Sequence, residues 1–190
     1  MKERIQNVHP KEYKGRQYRS TLEAKTAQIL DALGIPFKYE KKHIPLLEGF
    51  RCPYQKDKVR AVTYTPDFEI GSSILLECKG FETPEWKIKK KFVYKWLMEN
   101  EPYTSFYQIH DKKQLLMSLD NHWSYLGYYI QVISKTKKKI QGTTKKFDSI
   151  LQALSELNLK GKPIGPILNS LTGKKEFVYG YNWKLQKIKL

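Results

Sequence analysis

The sequence predicts an α/β domain followed by a smaller, strongly basic α+β module, and three observations carry that expectation. Helix-start signals alternate with short strand-like runs over the first two thirds of the chain. A hairpin-like stretch, YTPDFEIGSSILLECKG over residues 64–80, lies among them. The charge balance then changes along the chain. Residues 1–120 carry a net +6 (22 Lys and Arg, 16 Asp and Glu), and residues 121–190 carry +10 (13 and 3) over a much shorter span. A shift of that size argues for a second module with its own polyanionic contact.

The totals agree. One hundred and ninety residues allow one ordinary domain and an appendage, and 40% hydrophobic with 13% aromatic residues is enough for a core. A net charge of +16 points to a polyanion, with nucleic acid ahead of a membrane surface. No stretch approaches the roughly 18 apolar residues of a spanning helix, and the polar N-terminus MKERIQNVHPKEYKGRQYRS has no secretory apolar region. Cys52 and Cys78 are not spaced for zinc, so reduced thiols and a cytoplasmic location, in a bacterium or a phage-infected host cell, are expected. The four histidines show no metal-ligand spacing and are assigned no chemistry.

Taken in order, residues 1–17 are basic and without periodicity, which predicts an arm along a phosphate backbone. Structure is expected from Arg19 onward. Ser20 and Glu23 form an S-x-x-E capping box before an apolar-periodic run, and Gly34 and Pro36 end it, predicting a helix over 21–33. Residues 37–44 have strand character with Pro45 as the stop. Residues 46–60 are expected as a loop, and 61–70 and 73–79 as the second and third strands. Thr83 and Pro84 open a helix whose Trp86, Phe92, Val93, Trp96 and Leu97 repeat with helical period. Lysines decorate the rest of that helix, and Lys87 and Lys91 are expected near bound phosphate, with a solvated face as the alternative. Residues 103–109 make a fourth strand, and Asp111 caps a short helix through Leu119.

Along residues 74–79, alternation sends Leu75, Glu77 and Lys79 to one face. A carboxylate and an ammonium are then ~7 Å apart along the strand, and Asp67 on the preceding strand comes alongside them in a hairpin. An E-x-K ending is common on half-exposed sheets. Two carboxylates converging beside a lysine, however, suit a magnesium-assisted phosphodiester hydrolase, in which the acids hold a hard cation and the lysine steadies a water or developing charge. The pattern P-D-(x9)-E-x-K resembles the PD-(D/E)XK nuclease superfamily, and in particular the junction-resolving phage endonuclease I type, over residues 18–120 or so. That resemblance implies a mixed sheet flanked by helices, as in restriction endonucleases. It also implies catalysis by Asp67, Glu77 and Lys79, and Mg2+ held by Asp67, Glu77 and the Cys78 carbonyl, with Mn2+ as a substitute. It further gives Glu23 a second reading beside helix capping, as an additional acidic catalytic and metal ligand, and Arg19 a reading as a phosphate contact.

After residue 123 the sequence predicts a strand, the lysine run 137–139, and a second capping box (Ser149, Gln152) opening a helix to about Leu157. A turn at 160–163 and a second short helix at 164–171 follow. Two short helices across a tight turn give a helix-turn-helix outline. The segment resembles the small DNA-binding modules attached to phage and homing nucleases, with Phe147, Asp148, Ser149, Ile150, Ala153, Leu168, Gly173, Lys174, Gly180, Tyr181 and Trp183 at matching places. Gly165 and Pro166 in the second helix depart from that pattern. The expected DNA contacts are Lys162, Asn169, Ser170, Thr172, Lys174 and Lys175.

The expected organisation is an arm (1–17), a nuclease domain (18–122) and a DNA-binding module (123–190). The expected function is a divalent-metal-dependent DNA endonuclease that is homodimeric, because one centre cuts one strand. Its substrate is either branched DNA read by shape or a duplex read by sequence. The alternative is a non-catalytic DNA-binding protein built on a nuclease-like fold.

Overall fold

Short runs of β-branched and aromatic residues, interrupted by capping signals, set the order of elements. A computed structural model describes residues 10–54, 56–134 and 142–188. The chain runs β1 (Lys11–Tyr13), β2 (Arg16–Tyr18), α1 (Thr21–Ala32), β3 (Phe37–Tyr39), β4 (Ile44–Leu47), β5 (Phe50–Arg51), β6 (Lys58–Val59), β7 (Val62–Tyr64), β8 (Phe68–Ile70) and β9 (Ile74–Cys78). It continues with α2 (Pro84–Asn100), β10 (Ser105–Ile109), α3 (Lys112–Asp120), β11 (Tyr128–Ser134), β12 (Thr144–Phe147), α4 (Ile150–Glu156), α5 (Gly165–Leu171) and β13 (Tyr181–Lys187). Two compact units result, residues 1–23 with 35–110 and residues 24–34 with 111–190, the division passing through α1 just after Glu23.

In the first unit the main sheet has the order β10-β9-β8-β3. β8 and β9 form an antiparallel hairpin, turned at Gly71 with φ +60°, a conformation open to a residue without Cβ. β10 returns parallel to β9 through α2, as a parallel crossover requires. The helix starts where Thr83 Oγ1 accepts the Trp86 N–H at 3.2 Å, with Pro84 in its first turn. All five residues of β9 are buried. On one face Leu75 packs with Ile44, Tyr64, Trp86, Val93 and Leu97. On the other, Phe68 sits opposite Leu76 and against the rings of Tyr18, Phe37 and Tyr39. β4 pairs with β7, and β5 with β6 between them, so residues 44–64 form one nested antiparallel ribbon.

In the second unit β11 lies between β12 and β13, all antiparallel. Ile130, Val132, Phe147 and Trp183 are buried, and α4 packs on β11 and β12 while α5 packs on β13. A buried carboxylate ties this unit together. Asp120 accepts the Trp123 indole N–H at 2.8 Å and the backbone N–H groups of Ile150 at 2.7 Å and Leu151 at 3.1 Å. It thereby satisfies donors that the first turn of α4 cannot satisfy itself. Ser149 caps the same turn through the Gln152 N–H, and the Gln152 side chain accepts from Asp148 N–H.

Several expectations change. Residues 11–18, expected as part of an arm, form the β1–β2 hairpin; residues 1–9 and the lysine run 137–139 lie outside the described residues. Pro45 does not end a strand but sits within β4, where a two-stranded ribbon leaves its missing N–H on an open edge. The expected loop at 46–60 contains β5 and β6. The strand over 61–70 is broken into β7 and β8, with Asp67 just outside β8. Phe92, expected in the core, is 52% exposed. Gly165 and Pro166 do not interrupt α5 but occupy its first turn, where a missing N–H costs nothing. No helix among the described residues is long and apolar enough to cross a membrane.

Replacing Asp120 by Ala strands three donors, two of them buried and one part-buried, so the second unit is expected to lose roughly 2–3 kcal/mol of stability. Urea denaturation followed by Trp fluorescence measures this; a loss below about 0.5 kcal/mol would show that Asp120 is not the tie described.

Candidate active site

Strand alternation puts Leu75, Glu77 and Lys79 on one side of β9, and register brings the other groups to them. Phe68 is opposite Leu76, Glu69 opposite Leu75 and Ile70 opposite Ile74. The same register carried one residue further sets Asp67 opposite Glu77, and on the other flank β10 sets Gln108 beside Glu77. Asp67 is fixed at this point from two sides. Its Oδ2 accepts the Cys78 N–H at 2.6 Å, and its own carbonyl accepts the Glu40 N–H at 3.0 Å.

Glu77 is buried. Its Oε2 accepts the Tyr64 hydroxyl at 2.5 Å and its Oε1 lies 2.5 Å from Lys79 Nζ. The Lys79 ammonium also stands 4.7 Å from the centre of the Trp86 ring, within cation–π range. Trp86 is in turn oriented by its indole N–H, which donates to Gln108 Oε1 at 2.8 Å. The lysine is therefore held between a carboxylate and an aromatic face, with its side chain 31% exposed.

Glu23 is buried at the start of α1. It accepts the Tyr39 hydroxyl at 2.6 Å, the Arg19 N–H at 2.9 Å and the Ser20 hydroxyl at 2.8 Å, while Ser20 Oγ accepts the Glu23 N–H at 3.2 Å. The capping box is thus formed, with the carboxylate reaching back to Arg19. Glu23 is also near enough to Asp67 to act on its charge.

The electrostatics follow from burial. Desolvation first, then repulsion from Glu77, pushes the Asp67 carboxyl up to about 8. Burial and the Glu77 charge push the Tyr64 hydroxyl far above its ordinary range, and burial with the Glu23 hydrogen bond does the same to Tyr39. Both tyrosines remain protonated donors to a buried carboxylate. Neither is distinguishable in sequence from the other core aromatics. Gln108 was not singled out in the sequence and His110 was assigned no chemistry there; His110 Nδ1 meets the Lys79 carbonyl and its Nε2 meets the Gln108 amide at 3.0 Å.

The expected DNA contacts are less concentrated. The Arg19 side chain is exposed and pairs with Glu40 at 2.9 Å. Lys87 and Lys91 are exposed, but Lys89 and Lys90 lie closer to the site, because residues three and four beyond buried Trp86 share its face. Lys89 stands 5.6 Å from the Tyr64 ring centre, and Lys90 reaches Glu82 at 2.6 Å and Gln108 at 3.1 Å. In the second unit Lys162, Lys174 and Lys175 are exposed and Asn169 is half-buried. Thr172 returns its hydroxyl to the Leu168 carbonyl. Ser170 is buried and its Oγ accepts the Trp183 N–H at 3.1 Å, which makes it a packing tie and not an available contact.

Among the described residues no three His, Cys, Asp or Glu side chains are grouped for a metal. Two carboxylates are nevertheless enough for Mg2+, which binds through one or two of them and keeps several waters. Asp67 engages only Oδ2 with the backbone, and Glu77 Oε1 already serves a cation, the Lys79 ammonium. This donor set fits a hard divalent ion.

A family model described as phage endonuclease I matches residues 6–102, just over half of the chain and including Glu23, Asp67, Glu77 and Lys79. No curated protein and no solved structure gives a significant match.

In metal-free protein, between the ordinary aspartate range near 4 and about 8 the folded chain retains a proton that the unfolded chain has released. Stability from this group therefore falls as pH rises through that window and levels off above it. Asp67→Asn is expected to be more stable than wild type at pH 8 by on the order of a few kcal/mol, with the gap closing toward pH 4. Urea melts in chelator at both pH values test this, and a pH-independent gap would contradict it.

Proposed function

The chain belongs to the phage endonuclease I family, and from that we propose that it is a divalent-metal-dependent DNA endonuclease whose reaction centre is Asp67, Glu77 and Lys79. The observation that carries the reading is the register that sets Asp67 opposite Glu77 at the end of a buried strand, with the Lys79 ammonium 2.5 Å from Glu77. We assign the sheet to the PD-(D/E)XK type on the same ground.

Asp67, Glu77 and the Cys78 carbonyl are the groups that would hold Mg2+ (or Mn2+), and Glu23 is near enough to join them. When bound, the ion supplies Lewis-acid charge at the phosphate and makes water more acidic. Lys79 contributes a positioned cation at the site, able to orient a water and to balance charge that develops on the phosphate oxygens. Trp86 and Glu77 limit where its ammonium can stand, Tyr64 fixes Glu77, and Cys78 N–H fixes Asp67. Lys89 and Lys90 supply positive charge along α2 for the flanking phosphates.

Branched DNA is the substrate this arrangement favours, with a homodimer providing one centre per strand. The specific observation is α5. It is seven residues long with Ile167, Leu168, Ser170 and Leu171 buried, so it presents little polar surface for reading bases in a groove. Recognition by shape and backbone does not need such a helix.

A cleavage panel in Mg2+ with a four-way junction, a linear duplex and supercoiled plasmid tests the proposal. Wild type is expected to cut the junction fastest. Asp67→Ala is expected to abolish cutting, and Lys79→Met to lower kcat by about 10²–10³-fold while DNA binding is kept. Equal binding by wild type and Asp67→Ala with no cutting in Mg2+ or Mn2+ would leave a DNA-binding protein and end the enzyme reading.

A further inference from the structure

The expected DNA contact of the second unit was its second helix, and α5 is largely buried, yet the unit carries most of the chain's excess charge. The sheet offers another surface. Strand alternation turns Ile130, Val132, Phe147 and Trp183 toward α4 and α5, and the intervening residues to the opposite face. Register aligns that opposite face into rows. Gln131 pairs with Lys146 on one side and Lys184 on the other, and Tyr129 pairs with Gln186 one row away. Lys146 and Lys184 are exposed, and Tyr129, Gln131 and Ile133 between them are half-buried. Of the four lysines in the three strands, Lys146 and Lys184 lie on this face and Lys145 and Lys187 on the other, and the strands contain no aspartate or glutamate.

We infer that this face of the β12-β11-β13 sheet is a duplex-DNA contact surface, with Lys146 and Lys184 on phosphates and Gln131 between them. Across two strand spacings the lysine backbones stand roughly 10 Å apart, a separation on the scale of the duplex grooves, about 6 and 12 Å wide. Uniform positive charge with no carboxylate in the strands suits a polyphosphate. Duplex is favoured over single-stranded DNA because the Tyr129 ring already carries the Lys146 ammonium, 4.9 Å from its centre. A covered ring is a poor platform for an unstacked base, which is what single-strand binders provide. The contact is to backbone, so it adds affinity without sequence preference. DNA as partner rests on the endonuclease reading; the location of the contact does not use the reaction centre.

The test measures fluorescence anisotropy of a labelled duplex across a salt series, using the full chain with Asp67→Ala so that no cleavage intervenes. Lys146→Gln with Lys184→Gln is expected to weaken binding about tenfold near 0.1 M salt and to make the slope of log K against log salt shallower by about 2. Lys146→Arg with Lys184→Arg is expected to restore both, which separates charge from misfolding. Lys112→Gln with Lys113→Gln, exposed at the start of α3, is expected to leave the slope within about 0.5 of its starting value. Unchanged affinity and slope in the Lys146/Lys184 glutamine variant would overturn the inference, as would equal competition by single-stranded DNA. In a parallel cleavage assay on chains that keep Asp67, one that binds through this face but cuts nothing upholds the surface and ends the nuclease reading; one that cuts with Lys146 and Lys184 replaced by glutamine and binding unaltered does the reverse.

Discussion

Two carboxylates facing each other across adjacent buried strands are the constraint on which the first unit depends. Asp67 and Glu77 repel each other in a setting where burial already disfavours their charge. A fold tolerates this only with local compensation, and the compensation is visible on every side. Cys78 N–H binds Asp67, the Tyr64 hydroxyl and the Lys79 ammonium bind Glu77, and the Tyr39 hydroxyl binds nearby Glu23. Replacing the pair with apolar side chains would ordinarily be neutral or stabilising for such a site. The presence of Glu77 in a strand otherwise made of apolar residues and cysteine, with Asp67 facing it, is better explained by chemistry than by stability.

The compensating groups are themselves placed by the hydrophobic core. Tyr64 and Trp86 belong to the cluster around Leu75, so the packing that buries β9 also aims the hydroxyl at Glu77 and the indole under Lys79. Trp86 is buried because the Thr83 cap and Pro84 start α2 where they do, and the same phase brings Lys89 and Lys90 round beside it. Core packing, helix phase and site electrostatics are therefore one arrangement. A change in the start of α2 would shift the lysine's aromatic support and the phosphate-facing charge together.

Much of this was legible in the sequence because the signals are local. The caps at Ser20, Thr83, Asp111 and Ser149 depend on side chains within three residues, and all four are formed. The alternation along β9 depends on backbone geometry alone. The facing of Asp67 and Glu77 was legible once a hairpin was assumed, since the turn fixes register. What was not legible depends on distant partners. Pro45 within β4 is allowed only by an edge that β7 leaves open, and Tyr39 and Tyr64 became carboxylate partners through contacts 16 and 13 residues away. Ser170 looked like a polar helix position but is consumed by Trp183 across the core of the second unit. Lys89 and Lys90 were not singled out because their places beside Tyr64, Glu82 and Gln108 follow from the phase of α2 about Trp86, which only the packed helix shows.

The distribution of charge shows how the two tasks of a nuclease can be kept apart. The chain is strongly cationic overall, but the candidate site gathers two carboxylates, with Glu23 close by, around a single lysine. A phosphodiester attracted by the surrounding lysines would meet net negative potential at the centre itself. In the proposed reaction a divalent cation held by these carboxylates would resolve that conflict, which is the electrostatic argument for including one. In the proposed endonuclease the lysines outside the site would supply affinity, and the acids at it would decide where a bound strand reacts.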